Sequence, residues 1–100
     1  METYEVKLTP RALQDLDSIY AYIAQSLMEP DTALKLLSRL EDAIFSLEQL
    51  PQRGALRKTG AYANRGYRQL LTENYIAIYR VDEVHRQVIL LTVQYSHRKF

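Results

Sequence analysis

The chain contains no cysteine, which excludes a disulfide-stapled scaffold and a thiolate metal site. Long apolar runs are missing as well, since no stretch approaches the roughly 20 residues that a membrane-spanning helix requires. The first ten residues, METYEVKLTP, lack the apolar segment of a signal peptide. We therefore expect a soluble, cytoplasmic protein that makes no membrane contact.

Net charge is also small, at +1, and taken alone it argues against a protein that binds nucleic acid strongly. The charges are unevenly distributed, however. Up to Pro51 there are four Lys and Arg against nine Asp and Glu, a net of −5, and beyond it nine against three, a net of +6. This asymmetry predicts one basic region that suits an anionic partner, although an ordinary solvated surface explains it equally well.

The N-terminal half begins with a predicted strand, because apolar and charged residues alternate from Tyr4 to Leu8. Thr9 followed by Pro10 is typical of a helix N-cap and a first helical position. Apolar residues then recur at spacings of three and four as far as Leu27. This pattern predicts an amphipathic helix.

A second amphipathic helix is predicted after Pro30, with Asp31 as its N-cap. Its apolar stripe runs from Ala33 to Leu50, and Pro51 ends it. Two helices joined by so short a link are expected to form an antiparallel hairpin. Neither helix can bury its stripe alone, so the hairpin should pack on one face of a C-terminal sheet.

The C-terminal half predicts an antiparallel meander, because runs rich in β-branched, aromatic and leucine residues alternate with short polar breaks. In the middle run, Tyr75 and Tyr79 share one face as packing residues and Arg80 lies on the other. The order β-α-α-β-β-β is an α+β fold, and 100 residues with 47% hydrophobic content fit one domain, residues 1–100. The predicted strands are Tyr67–Leu71, Tyr75–Val81 and Val88–Tyr95.

Cationic and titratable side chains collect where these strands are predicted to end. The last strand runs into Tyr95, His97, Arg98 and Lys99. Residues 52–65 lack periodicity and are predicted to form a loop, with at most a short helical turn, on the same rim of the sheet. The cations of this loop are Arg53, Arg57, Lys58 and Arg65. Together these residues are a candidate site for an anionic partner.

The two histidines do not indicate a metal centre. His85 and His97 stand 12 residues apart, and no acidic cluster lies near His97. His85 lies in a polar turn, where we expect it to be exposed and to have no partner close in sequence. The sequence predicts no metal site and no cofactor.

A series of short motifs resembles the RelE/ParE superfamily of bacterial toxins from type II toxin–antitoxin systems. Each motif consists of a few common residues, but their order and spacing within 100 residues are specific together, and they cover nearly the whole chain. The motifs are Leu8-Thr9-Pro10, Asp15-Leu16, Tyr22-Ile23, Leu50-Pro51-x-Arg53-Gly54, Gly66-Tyr67-Arg68, the run from Asn74 to Val81, and the closing run from Val93 to Arg98.

The resemblance implies a RelE/ParE-like fold and a growth-inhibiting toxin that a cognate antitoxin neutralises. Antitoxins of this superfamily wrap a flexible C-terminal segment around the toxin, here over the basic rim, the groove beside the helix hairpin or an open sheet edge. Two activities occur among its members. ParE-like toxins inhibit DNA gyrase, and RelE-like toxins cleave mRNA on the ribosome.

The ribonuclease alternative requires a proton-transfer pair and cations around the phosphate. Arg68 and Arg80 are candidates for a phosphate clamp, with Arg98 and Lys99 close by. His97 is the candidate for proton transfer, because its ordinary pKa lies near physiological pH. Tyr95 is a candidate for base stacking or for the acid.

The gyrase alternative is favoured by one substitution and by the low net charge. RelE-like ribonucleases tend to carry an arginine directly after the third-strand tyrosine, whereas this chain has Ile76 after Tyr75. They also tend to be strongly basic. The closing Ser96 to Phe100 is more similar to the ParE branch. We therefore expect a ParE-like gyrase inhibitor, with a RelE-like endoribonuclease as the alternative.

Overall fold

Five strands form one mixed sheet in the order β1-β5-β4-β3-β2. The computed structural model describes residues 3–97 of the chain. β1 pairs with β5 in parallel, and the remaining neighbours pair antiparallel. The predicted α+β order is confirmed, with one short strand added before the meander. The strands are β1 (Glu5–Leu8), β2 (Ala55–Leu56), β3 (Arg68–Thr72), β4 (Tyr75–Asp82) and β5 (Gln87–Tyr95).

Helix α1 (Pro10–Ala21) begins as predicted. The Thr9 hydroxyl accepts a hydrogen bond from the Ala12 amide at 3.1 Å, and proline occupies the first turn, where its missing N–H costs nothing. The helix ends sooner than the stripe predicted, because a π-helical turn, Tyr22–Ser26, follows it. As a result Ile23 is buried, whereas Leu27 is 49% exposed.

Helix α2 (Pro30–Phe45) corrects two boundaries of the prediction. Pro30 starts the helix instead of interrupting the pattern, and the N-cap is Glu29, so the prediction of Asp31 as the cap was wrong. Asp31 lies in the first turn, where its carboxylate still favours the positive end of the helix dipole. The helix gives way to a 3₁₀ turn, Ser46–Glu48, and Leu50 is exposed instead of closing the buried stripe.

The core lies between the two helices and one face of the sheet, as expected. Leu16 of α1 and Leu40 and Ile44 of α2 pack against residues of β3, β4 and β5. On this helix face Ala77 and Tyr79 are buried, so the assignment of Tyr79 to packing is confirmed. The side chains that alternate to the opposite side of the sheet lie on what we call the outer face.

A bulge in β5 changes which of its side chains face the helices. Ile78 pairs with Thr92 but Tyr79 pairs with Leu90, so Leu91 is an extra residue. The insertion resets the alternation, which explains why Leu90 and Val93 both join the helix-face core although they are three residues apart. Hydrophobic periodicity alone did not predict this shift.

Residues 57–67 cover part of the outer face, where the sequence predicted a loop without strand structure. The segment before them forms β2, which pairs with β3 through Ala55 and Leu56, so the absence of a strand from residues 52–65 was a wrong prediction. The covering loop turns back on itself, with the Arg57 amide donating to the Tyr67 carbonyl. Among residues 3–97, no helix is long and apolar enough to cross a membrane.

Candidate functional site

Arg68 anchors the loop that follows α2. Its Nη1 donates to the Gly54 carbonyl at 2.7 Å, and the Gly54 amide donates to the Tyr79 hydroxyl at 2.9 Å. A Cβ at Gly54 would lie 2.5 Å from the Gln69 carbonyl oxygen, so only glycine fits without moving backbone. Burial raises the pKa of Tyr79, and its hydrogen bond to Gly54 partly offsets that rise. Arg68 therefore has a structural contact that sequence reasoning missed.

Arg57 is also engaged inside the fold. Only 7% of this residue is exposed, although a charged side chain in a loop is usually solvated. Its Nη1 donates to Gln69 Oε1 at 2.9 Å, and its Nε donates to the Ala61 carbonyl. The buried guanidinium thus holds the 57–67 loop against the sheet.

The remaining loop cations are more accessible. Arg53 is exposed and donates to the Ser46 hydroxyl at 2.7 Å. Lys58 and Arg65 are exposed as well. Their proposed role in binding a partner stays a prediction.

Tyr95 and His97 come together at the end of β5, as expected. Their ring centroids lie 5.1 Å apart, and Tyr75 contacts the other side of Tyr95 with a centroid distance of 5.6 Å. Burial raises the pKa of Tyr75, and the nearby Tyr95 and Tyr22 phenols raise it further, so Tyr75 stays neutral at physiological pH. Arg98 and Lys99, the other predicted members of this group, lie outside the described residues.

The predicted phosphate clamp of Arg68 and Arg80 is not formed. Arg68 pairs with Tyr79 and shares its helix face, so Arg80, one residue further along β4, lies on the outer face. Tyr95 pairs with Tyr75, five residues from Arg80 along β4, which separates Tyr95 from Arg80 by about 17 Å along the strand. Arg68, Arg80 and Tyr95, which were predicted to share one rim, therefore lie on both faces of the sheet and towards opposite ends of its strands.

An aromatic groove of about 480 Å³ runs beside α1 and the end of β5. Tyr22, Tyr75 and Tyr95 supply its rings, with Ile19 and Val93 adding apolar surface. Tyr22 is 58% exposed and Tyr95 47% exposed, so both rings are available to a partner. The sequence analysis named Tyr22 only within the Tyr22-Ile23 motif and did not assign it to a binding surface.

Asp15 forms one wall of this groove and was also missed as a functional position. β1 ends at Leu8, so the outer edge of β5 beyond Leu90 has no strand beside it. Asp15 Oδ2 accepts two hydrogen bonds there, a short one from the Thr92 hydroxyl and one of 3.1 Å from the Val93 amide. The Asp15-Leu16 motif was the available signal, but the role of its carboxylate depends on a strand 77 residues away.

Ile76 lies on the outer face of the sheet, opposite the face of Tyr75 and Tyr95. Its register partner on the outer face is Gln94, a buried amide that donates to the Thr92 hydroxyl at 2.8 Å. Within residues 3–97, no group of three or more His, Asp or Glu side chains is arranged to hold a metal ion.

Comparison with solved structures gives the same fold. One chain of the chromosomal ParDE toxin–antitoxin system from P. aeruginosa is 27% identical with a TM-score of 0.76, covering 93% of this chain and 96% of that chain. A chain of the RelBE2 toxin–antitoxin complex from Mycobacterium tuberculosis is 23% identical with a TM-score of 0.68, covering 93% and 98%. A mutant of the E. coli toxin RelE in the free state is 13% identical with a TM-score of 0.64, covering 95% and 85%.

The two RelE-type structures, both below 25% identity, share the fold alone. No curated protein matches the sequence. A family described as the ParE toxin of the type II toxin–antitoxin system parDE matches residues 6–100, which is nearly the entire chain. This protein therefore belongs to the ParE toxin family of type II toxin–antitoxin systems.

Proposed function

We propose that this ParE-family toxin arrests growth by inhibiting DNA gyrase and that a cognate antitoxin neutralises it. Membership of the ParE toxin family supports the choice of target. The similar P. aeruginosa chain comes from a ParDE toxin–antitoxin system, which supports an antitoxin partner.

The separation of the predicted catalytic groups is the observation that carries this proposal. Cleavage of RNA through the 2′-hydroxyl needs a base, an acid and cations within hydrogen-bond reach of one phosphate. Arg68 is on the helix face, Arg80 is on the outer face, and Tyr95 lies about 17 Å from Arg80 along the sheet. A toxin of this geometry acts by binding its target.

The RelE-like endoribonuclease is the second candidate, and the contact between Tyr95 and His97 favours it. Two titratable rings 5.1 Å apart at an exposed strand end are the kind of pair that proton transfer uses. Ile76, where RelE-like ribonucleases tend to carry an arginine, nevertheless supplies no cation. Because His97 belongs to this pair, the variant His97→Ala can distinguish mRNA cleavage from gyrase inhibition.

Induction of the toxin in bacteria and a supercoiling assay with purified gyrase together test the proposal. We expect loss of supercoiling activity, a DNA-damage response and filamentation, while primer extension finds no new mRNA ends. His97→Ala should leave gyrase inhibition unchanged unless the ring contacts gyrase directly. New mRNA ends within codons that disappear in His97→Ala, with normal supercoiling, would instead establish the ribonuclease.

A further inference from the structure

A second cavity, separate from the aromatic groove, lies between the start of α1 and the 57–67 loop. Its volume is about 510 Å³, within the range of small-molecule sites. Arg11 contributes one side of it, and Ala61, Tyr62 and Arg65 contribute the other. Thr92 forms the floor, at the part of the outer face that this loop covers. We call it the two-arginine pocket.

The charges of this pocket favour an anion. Arg65 makes no ion pair within the part of the chain that the structure describes. The Nε of Arg11 is 3.9 Å from Asp15 Oδ2, at the outer limit of an ion pair. The same Oδ2 already accepts hydrogen bonds from the Thr92 hydroxyl and the Val93 amide. Two guanidinium groups therefore line the pocket, and the carboxylate beside Arg11 also accepts hydrogen bonds from β5.

The loop wall of the pocket is held in place without a ligand. Arg57, itself buried, donates to the Ala61 carbonyl behind the wall. Tyr62 packs edge-on against Tyr67 at a centroid distance of 5.2 Å. Its backbone stays in the left-handed region at φ 66°, which an aromatic residue adopts only when surrounding contacts impose it. A wall formed in advance spares the ligand the entropy of ordering it.

The size and chemistry of the pocket select its ligand. Guanidinium groups match the oxygens of a phosphate in a paired hydrogen-bonding geometry. The volume exceeds what one inorganic phosphate would fill, and the Tyr62 ring offers a surface against which a base can pack. We propose that the two-arginine pocket binds a nucleoside phosphate, with the phosphate between Arg11 and Arg65 and the nucleoside against Tyr62. The pocket shares no lining residue with the aromatic groove.

Titration calorimetry of the full chain with AMP, ATP, inorganic phosphate and a short single-stranded RNA tests the proposal. We expect AMP and ATP to bind more tightly than inorganic phosphate. Arg65→Ala should weaken ATP binding about tenfold or more, and Arg65→Lys should recover only part of it because an ammonium group cannot form the paired contact.

Two exposed cations outside the pocket provide the controls. Arg39 pairs with Glu73 at 3.7 Å on the far side of α2, and Lys58 lies in the covering loop. Arg39→Ala and Lys58→Ala should leave the ATP affinity within about twofold. All these side chains are exposed, so a matching thermal midpoint confirms that each variant folds. No binding by any nucleotide, binding of the RNA alone, or equal loss in the control variants would overturn the assignment.

Discussion

Asp15 accepts hydrogen bonds from two donors of β5, the Thr92 hydroxyl and the Val93 amide. These donors lie where β1 no longer covers the edge of β5, so α1 completes the pairing that a longer strand would have made. Thr9 assists at the same edge, since its hydroxyl donates to the Leu91 carbonyl at 2.9 Å. A single helix residue thus fixes how α1 sits against the sheet.

Replacing Asp15 with alanine should destabilise the protein measurably. The Thr92 hydroxyl belongs to a residue only 1% exposed, and a buried donor left without a partner costs about 1–3 kcal/mol. Urea unfolding of Asp15→Ala should therefore show a lower midpoint with an unchanged slope. Asp17→Ala is the matched control, because Asp17 is an exposed residue of the same helix and its loss should change stability by less than about 0.5 kcal/mol. Equal midpoints for the two variants would contradict this role.

At the scale of the structural element, a contact between Asp82 and His85 closes the turn between β4 and β5. Asp82 Oδ2 lies 2.9 Å from His85 Nδ1, and Asp82 Oδ1 accepts from the His85 amide at 3.2 Å. His85 is exposed as predicted, but the expectation that it lacks a partner close in sequence was wrong. The hydrogen bond from the His85 side chain, then the one from its amide, lowers the pKa of Asp82 below its ordinary value of 3.8.

This turn predicts a specific dependence of stability on pH. Because the folded pKa of Asp82 is lowered, the ionised form favours the folded state, and that stability is present above pH 3.8 and lost as the pH falls through the lowered value. His85→Ala removes the larger of these two hydrogen bonds and keeps the one from the amide, so its free energy of unfolding should fall less steeply than that of the parent below about pH 4.

Urea unfolding at a series of pH values from neutral to acid measures how the free energy of unfolding changes with pH in the parent and in His85→Ala. Val84→Ala, at an 86% exposed position of the same turn, should retain the parent's acid slope. Val84→Ala keeps the contact between Asp82 and His85, so a change of slope confined to His85→Ala reports that contact. Parallel acid curves for the parent and His85→Ala would rule out the contribution.

At the scale of the whole molecule, the uneven charge of the sequence gives an acidic helix layer and a basic sheet with its covering loop. Residues 10–45, which form the helix layer, carry three Lys and Arg against six Asp and Glu. Residues 53–97, which form most of the sheet and the covering loop, carry seven against three. The aromatic groove is lined by residues of both regions, so a partner seated in it meets aromatic rings beside the Asp15 carboxylate.

We predict that an antitoxin segment inserts apolar side chains into the aromatic groove. Tyr22 and Tyr95 are its exposed rings, and truncating central aromatic residues of an interface commonly weakens binding by about 30-fold or more. Calorimetry with the product of an adjacent small gene should show that loss in Tyr22→Ala/Tyr95→Ala. Val84→Ala removes an exposed apolar side chain in the β4–β5 turn, outside the groove, and should bind like the parent. Unchanged affinity in the double variant would place the antitoxin elsewhere.

The local pattern of the sequence was sufficient for the two helices, four of the five strands and the packing side of β4. Thr9 and Pro10 marked the start of α1, and the alternation around Tyr79 identified the packing side of β4. These features depend on the periods of 3.6 and 2 residues, which are properties of neighbouring residues. The family resemblance, confirmed over residues 6–100, also came from motifs read along the chain.

Only the tertiary structure decided which polar groups are available for function. Arg57 and Arg68 carry the same charge as Arg65, but two of the three are hydrogen-bonded inside the fold and one faces a pocket. The β5 bulge and the parallel pairing of β1 likewise placed Asp15 beside Thr92 across 77 residues of sequence. Hydrogen-bond partners depend on chain segments that meet only after packing, so no local period encodes them.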